Sequence, residues 1–399
     1  MAIDTEAKPE TFVSRVEKRL AGEPSRIMEL KKKGAKVVGY FCPHVPEELI
    51  LAGGMVPLRL AFGGELKPAS SGEEYLKPYS CPYARSCLGY RIEGKNEFYN
   101  LVDALCVAQT CENLKLVGSY WESYFKVPVF RLGLTHTHDA FRSRPHALEY
   151  FKREIESLRR KLGDFGGKPI KDNDIRRAIA LCNKIREKLH VLYEYPAGRT
   201  TPIDWNEVFS ITQAGYLIDR PEYLNELTAI EKKLAAAKTA GTGDDRPRLM
   251  IVGSIIGAGD TKLLEIIKTA GGNIVADAVC TGSMLARKSV TVFGIMGSPI
   301  EALAERYLYN VPCPCMTDLD KRLNRMLKIA RDYRVAGMVY YSLKYCDTWR
   351  SEFQFIKDQL YNELSIPSLL IESDYSPSDV GTIRTKVEAF VEMLGGLIK

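Results

Sequence analysis

KVVGYFC, Lys36 to Cys42, is an apolar run too short for a helix, and it reads as a fully buried strand ending on a thiol. Pro46-Glu47-Glu48-Leu49-Ile50-Leu51-Ala52 then starts a helix, because proline fits a first turn and acids there face the positive end of the helix dipole. Gly53-Gly54 stops it, and MVPLRLAF (Met55 to Phe62) is the next strand. ALCVA (Ala104 to Ala108) and VPVFRLGL (Val127 to Leu134) are further strands, and their alternation with helices predicts a doubly wound parallel sheet. Upstream, residues from Pro9 to Lys33 have helical spacing with their charges on one side.

The same plan returns downstream. RLMIVGS (Arg248 to Ser254) is a strand, Asp260 to Ala270 a helix, Gly271-Gly272 its stop and NIVADAVC (Asn273 to Cys280) the next strand. VAGMVYYSLKYC mirrors VDALCVAQTC, and IPSLLIESDY mirrors VPVFRLGLTH. Between the two halves, His146 to about Lys238 carries long amphipathic helices, one of them capped by Asp172 or Asn173, and TAGTGDDRPR (Thr239 to Arg248) is a polar linker. The expected architecture is α/β: two similar doubly wound domains, 1–145 and 248–399, with a helical segment and linker at 146–247. Ligands of open parallel sheets bind beyond the carboxyl ends of the strands, so the site belongs in the cleft between the domains.

Composition narrows the function. Lys and Arg number 56 against 50 Asp and Glu, and the net charge of +6 is not gathered into any run, so nucleic acid is not an expected partner. MAIDTEAKPETF has acids and no apolar stretch, unlike a secretory signal, and no segment holds 18 uninterrupted apolar residues. A cytoplasmic protein without a membrane association is expected. In that reducing compartment ten cysteines point to metal ligands, chemistry or packing before disulfides.

Six of the ten fall into two sets of three. Cys42, Cys81 and Cys111 lie 238, 234 and 235 residues before Cys280, Cys315 and Cys346. Iron–sulfur cubanes take three or four thiolates, so two sets on repeated scaffolds suggest one large cluster held between two halves. Cys111 and Cys346 each follow a buried strand and precede a helix start, where backbone N–H groups face an anion. Cys81 to Cys111 spans 30 residues and Cys315 to Cys346 spans 31, which makes Cys81 and Cys315 counterparts. The Cys-Pro dipeptide instead likens Cys81 to Cys313, which stays open as the alternative to Cys315. Cys42 follows the first strand of its half and Cys280 the second, so their shared offset does not make them equivalent. Cys182 fits an apolar helix stripe with Ile179 and Ile185, Cys106 a strand interior, and Cys87 either role. Zinc is the competing metal, but paired C-x2-C or H-x3-H spacing is missing.

The turn from Gly253 to Lys262 has neither phosphate-loop order, and a tight strand-to-helix turn is the better account of it. ATP chemistry would need a partner. His44, Glu47 and Lys344 are candidate catalytic groups near the expected cleft, with Glu48, Glu372, Asp374 and Ser376 as further polar neighbours.

At these residues the chain resembles the subunits of 2-hydroxyacyl-CoA dehydratases and benzoyl-CoA reductases. The likeness runs through YFCPHVPEELILAGG, SCPYARSC, QTCENLK, KDNDIRRAIALCNKIR, YYSLKYCDTW and IPSLLIESDYSPSDVGTIRTKVEAF, and so covers essentially the whole chain. It implies that Cys81, Cys111 and Cys346 hold a [4Fe–4S] cluster. The added Cys42, Cys280 and Cys313 or Cys315 resemble the double-cubane branch, whose cofactor is [8Fe–9S]. The resemblance further implies an ATP-hydrolysing activase with its own [4Fe–4S] cluster as electron donor, a small-molecule substrate and a homodimer. Three readings follow: a double-cubane reductase, a single-cluster dehydratase or aryl-CoA reductase subunit, and a non-catalytic zinc or ligand-binding protein.

Overall fold

The structure is a computed structural model that describes residues 11–137, 144–198, 201–237, 244–294 and 297–398. Two four-stranded sheets, all parallel, carry the strands of the described residues. The first is built from β1 (Val37–Tyr40), β2 (Val56–Arg59), β3 (Ala104–Ala108) and β4 (Val129–Leu132), in the order β2-β1-β3-β4. The second repeats it with β5 (Arg248–Gly253), β6 (Asn273–Val279), β7 (Gly337–Leu343) and β8 (Ser368–Ser373), in the order β6-β5-β7-β8. β1, β3, β6 and β7 are buried along their whole length, as expected when helices cover both faces of a parallel sheet. In each sheet the order reverses between the first and third strands, at β1/β3 and β5/β7. Side chains at those carboxyl ends therefore meet in a crevice.

The segment between the sheets is helical, as its periodicity predicts. Helix Arg144–Gly166 packs on β4 and on helix Pro299–Tyr309, while helix Asp172–Glu194 packs on helices Glu47–Ala52 and Arg220–Ala236. Asp172 is the first helical residue and not the cap. Lys171 caps this helix, donating its backbone N–H to Asp174 Oδ2 at 3.3 Å. The N-terminal helix runs Phe12–Lys32 behind Thr11, whose hydroxyl takes the Ser14 N–H at 3.0 Å; Pro9 lies outside the described residues. Of the linker, Thr239 to Gly243 also lie outside them. No helix among the described residues is long and apolar enough to cross a membrane.

The glycine-rich turn after β5 has a structural use. Phe62 pairs with Ala258 in an isolated parallel bridge, with Ala258 N donating to Ala61 O at 2.7 Å and Gly63 N to Ala258 O at 3.0 Å. The backbones are so close that a Cβ on Gly257 would lie 2.6 Å from Gly63 N. The turn thus joins the extension of β2 to the second half. Its helix starts at Lys262, two residues later than expected, because Asp260 turns inward and accepts the Tyr341 hydroxyl at 2.9 Å.

Candidate functional site

Seven cysteines line one cavity of about 390 Å³: Cys42, Cys81, Cys111, Cys280, Cys313, Cys315 and Cys346. They come from the carboxyl ends of β1, β3, β6 and β7 and from the loops before helices Pro82–Glu93 and Leu319–Asp332. Phe41, Leu114, Ile255, Leu343 and Trp349 make the rest of the wall largely apolar. None of the ten thiols is in a disulfide.

Three of the seven occupy the N-cap of a helix. Cys81 precedes Pro82–Glu93, Cys111 precedes Glu112–Ser123 and Cys346 precedes Asp347–Leu364. In each case the backbone N–H three residues on, from Ala84, Leu114 or Trp349, acts to lower the thiol's pKa. Each sulfur therefore sits where unsatisfied amides and the helix dipole favour negative charge. Burial opposes this in the protein alone. It pushes Cys42 and Cys111 up to about 12 and Cys280 up to about 11, the last despite the pull of Arg59. The Cys81 thiol donates to Cys346, which is held below the ordinary thiol range with help from Ser254 and Thr348, while Cys81 is held above it.

Strand register decides which cysteines are counterparts. Tyr40 pairs with Cys106 across β1/β3, and Gly253 pairs with Tyr341 across β5/β7. Cys111 and Cys346 lie five residues beyond Cys106 and Tyr341, so they are equivalent. Cys42 lies two beyond Tyr40, where the second half has Ile255. Cys280 lies one beyond Val279, where the first half has Leu60. Their common offset is thus coincidental, although both line the same cavity. Cys313 and Cys315 both reach it as well. Cys313 is the one whose charge bears on Cys42, Cys111 and Cys280, and the hydrogen bond to Cys315 together with burial holds it above the thiol range.

Among the described residues no three His, Cys, Asp or Glu side chains are grouped as ligands of one metal ion. A tetrahedral thiolate ion needs every sulfur about 2.3 Å from one point. These thiols surround a volume instead. Soft donors arranged in this way fit a polynuclear iron–sulfur group.

The other cysteines are elsewhere. Cys87 and Cys106 are fully buried inside the first half. Cys182 is not a purely apolar contact, because its thiol donates to Glu47 Oε1 at 3.8 Å. The three polar candidates also lie outside the cavity lining. His44 is buried, with Nδ1 2.9 Å from the Tyr307 carbonyl. Glu47 accepts Arg220 Nη2 at 2.6 Å and the Tyr40 hydroxyl at 2.8 Å. Lys344 pairs with Asp374 Oδ2 at 2.8 Å. Glu48 joins Arg186 at 2.6 Å and the Tyr307 hydroxyl at 2.7 Å, a second buried pair beside the first.

Three contributors escaped the sequence reading. His136, in the loop four residues beyond β4, lines the cavity with Nε2 3.1 Å from the Gln109 carbonyl, and its own carbonyl takes Thr317 N–H at 3.0 Å. It thus ties the Cys111 loop to the Cys315 loop. Tyr345, beside Cys346, lines the mouth in the left-handed region at φ 62°. Arg59, the charge inside MVPLRLAF, is buried next to Cys280. A lone arginine in an apolar strand was the readable signal; His136 carried none until β4 was placed beside β3.

Known proteins are similar to this chain over most of its length. The family described as 2-hydroxyglutaryl-CoA dehydratase, D-component, matches residues 42–394. A putative dehydratase subunit, YjiM, of Escherichia coli K12 is 29% identical over 370 residues, 92% of this chain and 94% of that protein. The (R)-phenyllactyl-CoA dehydratase beta subunit of Clostridium sporogenes is 25% identical over 92% of this chain and 93% of its own. A benzoyl-CoA reductase subunit of Thauera aromatica is 22% identical over 90% and 91%. The match spans the cavity's cysteines, every strand but β1 and the helices between the sheets, and the chain belongs to the 2-hydroxyglutaryl-CoA dehydratase D-component family.

Proposed function

We propose that this protein is an iron–sulfur reductase whose Cys42, Cys81, Cys111, Cys280, Cys315 and Cys346 hold a double-cubane [8Fe–9S] cluster, with Cys313 as the alternative to Cys315. One observation carries the reading: seven thiols from both halves line a single cavity, more than the three or four that one cubane takes. When bound, such a cluster supplies low-potential electrons to a small-molecule substrate. The chain's own residues prepare the place for it. The N-capping positions of Cys81, Cys111 and Cys346 favour thiolate, the apolar wall limits water, and His136, Glu112 and Asp347 are cavity-lining side chains suited to proton transfer. A separate ATP-hydrolysing [4Fe–4S] activase would deliver the electrons to a cytoplasmic homodimer; relatives named as subunits support the need for partner proteins. The chain is read as two α/β domains, 1–145 and 248–399, with the helical segment 146–247 between them.

A second reading has its own support. Cys81, Cys111 and Cys346 are the three N-capping thiols and would suffice for one [4Fe–4S] cluster, as in a subunit of a 2-hydroxyacyl-CoA dehydratase or aryl-CoA reductase. Relatives bear both kinds of name. Iron and acid-labile sulfide counted per chain after anaerobic purification separate the two. About eight iron and nine sulfide are expected, and about four of each would replace the double cubane by the single cluster.

A further inference from the structure

Arg59 is a buried cation without a carboxylate. It ends β2 with 1% of its surface exposed, and among the described residues it makes no ion pair. Its Nη2 donates to the Cys280 carbonyl at 2.9 Å and its Nε to the Phe41 carbonyl at 3.3 Å. The guanidinium lies over the Tyr216 ring at 4.6 Å, and the Tyr216 hydroxyl donates to the Thr281 carbonyl at 2.7 Å. Its Nη1 is buried without a hydrogen-bond partner. The acidic groups bearing on it are Cys280 and the tyrosines Tyr40, Tyr83 and Tyr216, all neutral in their protonated forms.

Carbonyl oxygens and a ring face orient a guanidinium but do not neutralise it, and an uncompensated charge in a protein interior is strongly unfavourable. The contacts have a definite geography. Phe41 precedes Cys42 and is in the first half, whereas Cys280 is in the second, so this one side chain holds the two non-equivalent cysteine loops together. The one thiol among the acidic groups bearing on it is Cys280, which lines the cavity.

We propose that Arg59 is the charge-balancing and positioning residue of the cysteine cavity. It fixes the Cys42 and Cys280 loops against each other and supplies, from behind the cavity lining, a positive charge beside Cys280 that balances an anionic, thiolate-held group. The proposal rests on the cluster reading above. A nearby buried positive charge favours the more reduced, more negative state of such a group, so loss of the charge lowers its reduction potential.

Wild type, Arg59→Lys and Arg59→Gln should be purified anaerobically and compared by iron and sulfide per chain, thermal melting and redox titration followed by electron paramagnetic resonance. Arg59→Gln is expected to shift the midpoint to more negative potential, with Arg59→Lys close to wild type. If the contact also secures the group, folded Arg59→Gln loses iron to a chelator faster, in line with the roughly 10–100-fold affinity losses seen when partners of metal ligands are removed, while Arg59→Lys keeps it. Full iron with an unchanged midpoint in Arg59→Gln overturns the proposal, as does equal iron loss in both folded variants. An iron-free wild type overturns the cluster reading itself and this proposal with it, an outcome visible before either variant is measured.

Discussion

Arg220 Nη2 lies 2.6 Å from Glu47 Oε2, tying a helix of the segment between the sheets to the first turn of the helix that follows β1. The Tyr40 hydroxyl and the Cys182 thiol donate to the same carboxylate, at 2.8 and 3.8 Å, and Arg220 also donates to the carbonyls of Gly215 and Ile218 at 2.7 Å each. Burial opposes ionisation of Glu47, yet Arg220 outweighs it and brings the carboxyl down to about 2. Glu47 is thus an already committed anion in a structural pair.

Glu47→Gln is expected to destabilise the fold by about 3 kcal/mol, because it leaves a buried guanidinium without its counter-charge. Urea unfolding at neutral pH measures this. A loss below about 0.5 kcal/mol would show that the carbonyls alone satisfy Arg220.

The same pair has a pH signature. Glu47 has a lower pKa folded, about 2, than its ordinary 4.5, so its contribution is complete above 4.5 and disappears as pH falls toward 2. Acid unfolding of wild type should be steeper across that window than that of Glu47→Gln. Parallel curves would remove the pair from the account.

Cysteine substitutions should divide by place. Alanine at Cys81, Cys111 or Cys346 is expected to abolish most iron binding, and Cys280→Ala to lower it below eight per chain. Cys87→Ala, Cys106→Ala and Cys182→Ala should keep full iron while losing about 1–2 kcal/mol of stability from buried contacts. Unchanged iron in Cys280→Ala would exclude it as a ligand.

Tyr345→Gly tests the mouth of the cavity. A bulky residue at φ 62° carries strain of about 1 kcal/mol that glycine does not, offset by glycine's greater freedom when unfolded. The melting temperature should therefore change by no more than a few degrees, while chelators or oxygen bleach the protein faster. Wild-type bleaching rates would mean that Tyr345 does not limit access.

Strand identity was legible because it is written in local pattern, whereas the order of the strands in each sheet came from the structure. Short apolar runs such as KVVGYFC and VAGMVYYSLKYC, closed by glycines and helix caps, predict buried parallel strands whatever surrounds them. The repeat of that pattern paired Cys111 with Cys346 before any register was known. The boundaries that moved did so through side-chain contacts the pattern does not contain, as where Asp260 turns in to Tyr341 and delays its helix.

Sequence by itself therefore determined that there are two parallel sheets and that cysteines stand at the ends of their strands. The sequence already set Cys42 after a first strand and Cys280 after a second, and the tertiary structure added the register that puts Ile255 and Leu60 in their corresponding places. It alone brought all seven thiols to one cavity, moved His136 into the wall and left His44 behind it. It alone set Arg59 between the two halves, with no ion pair among the described residues. These are long-range relations, fixed when the β2 extension meets the turn after β5, and no stretch of contiguous residues encodes them.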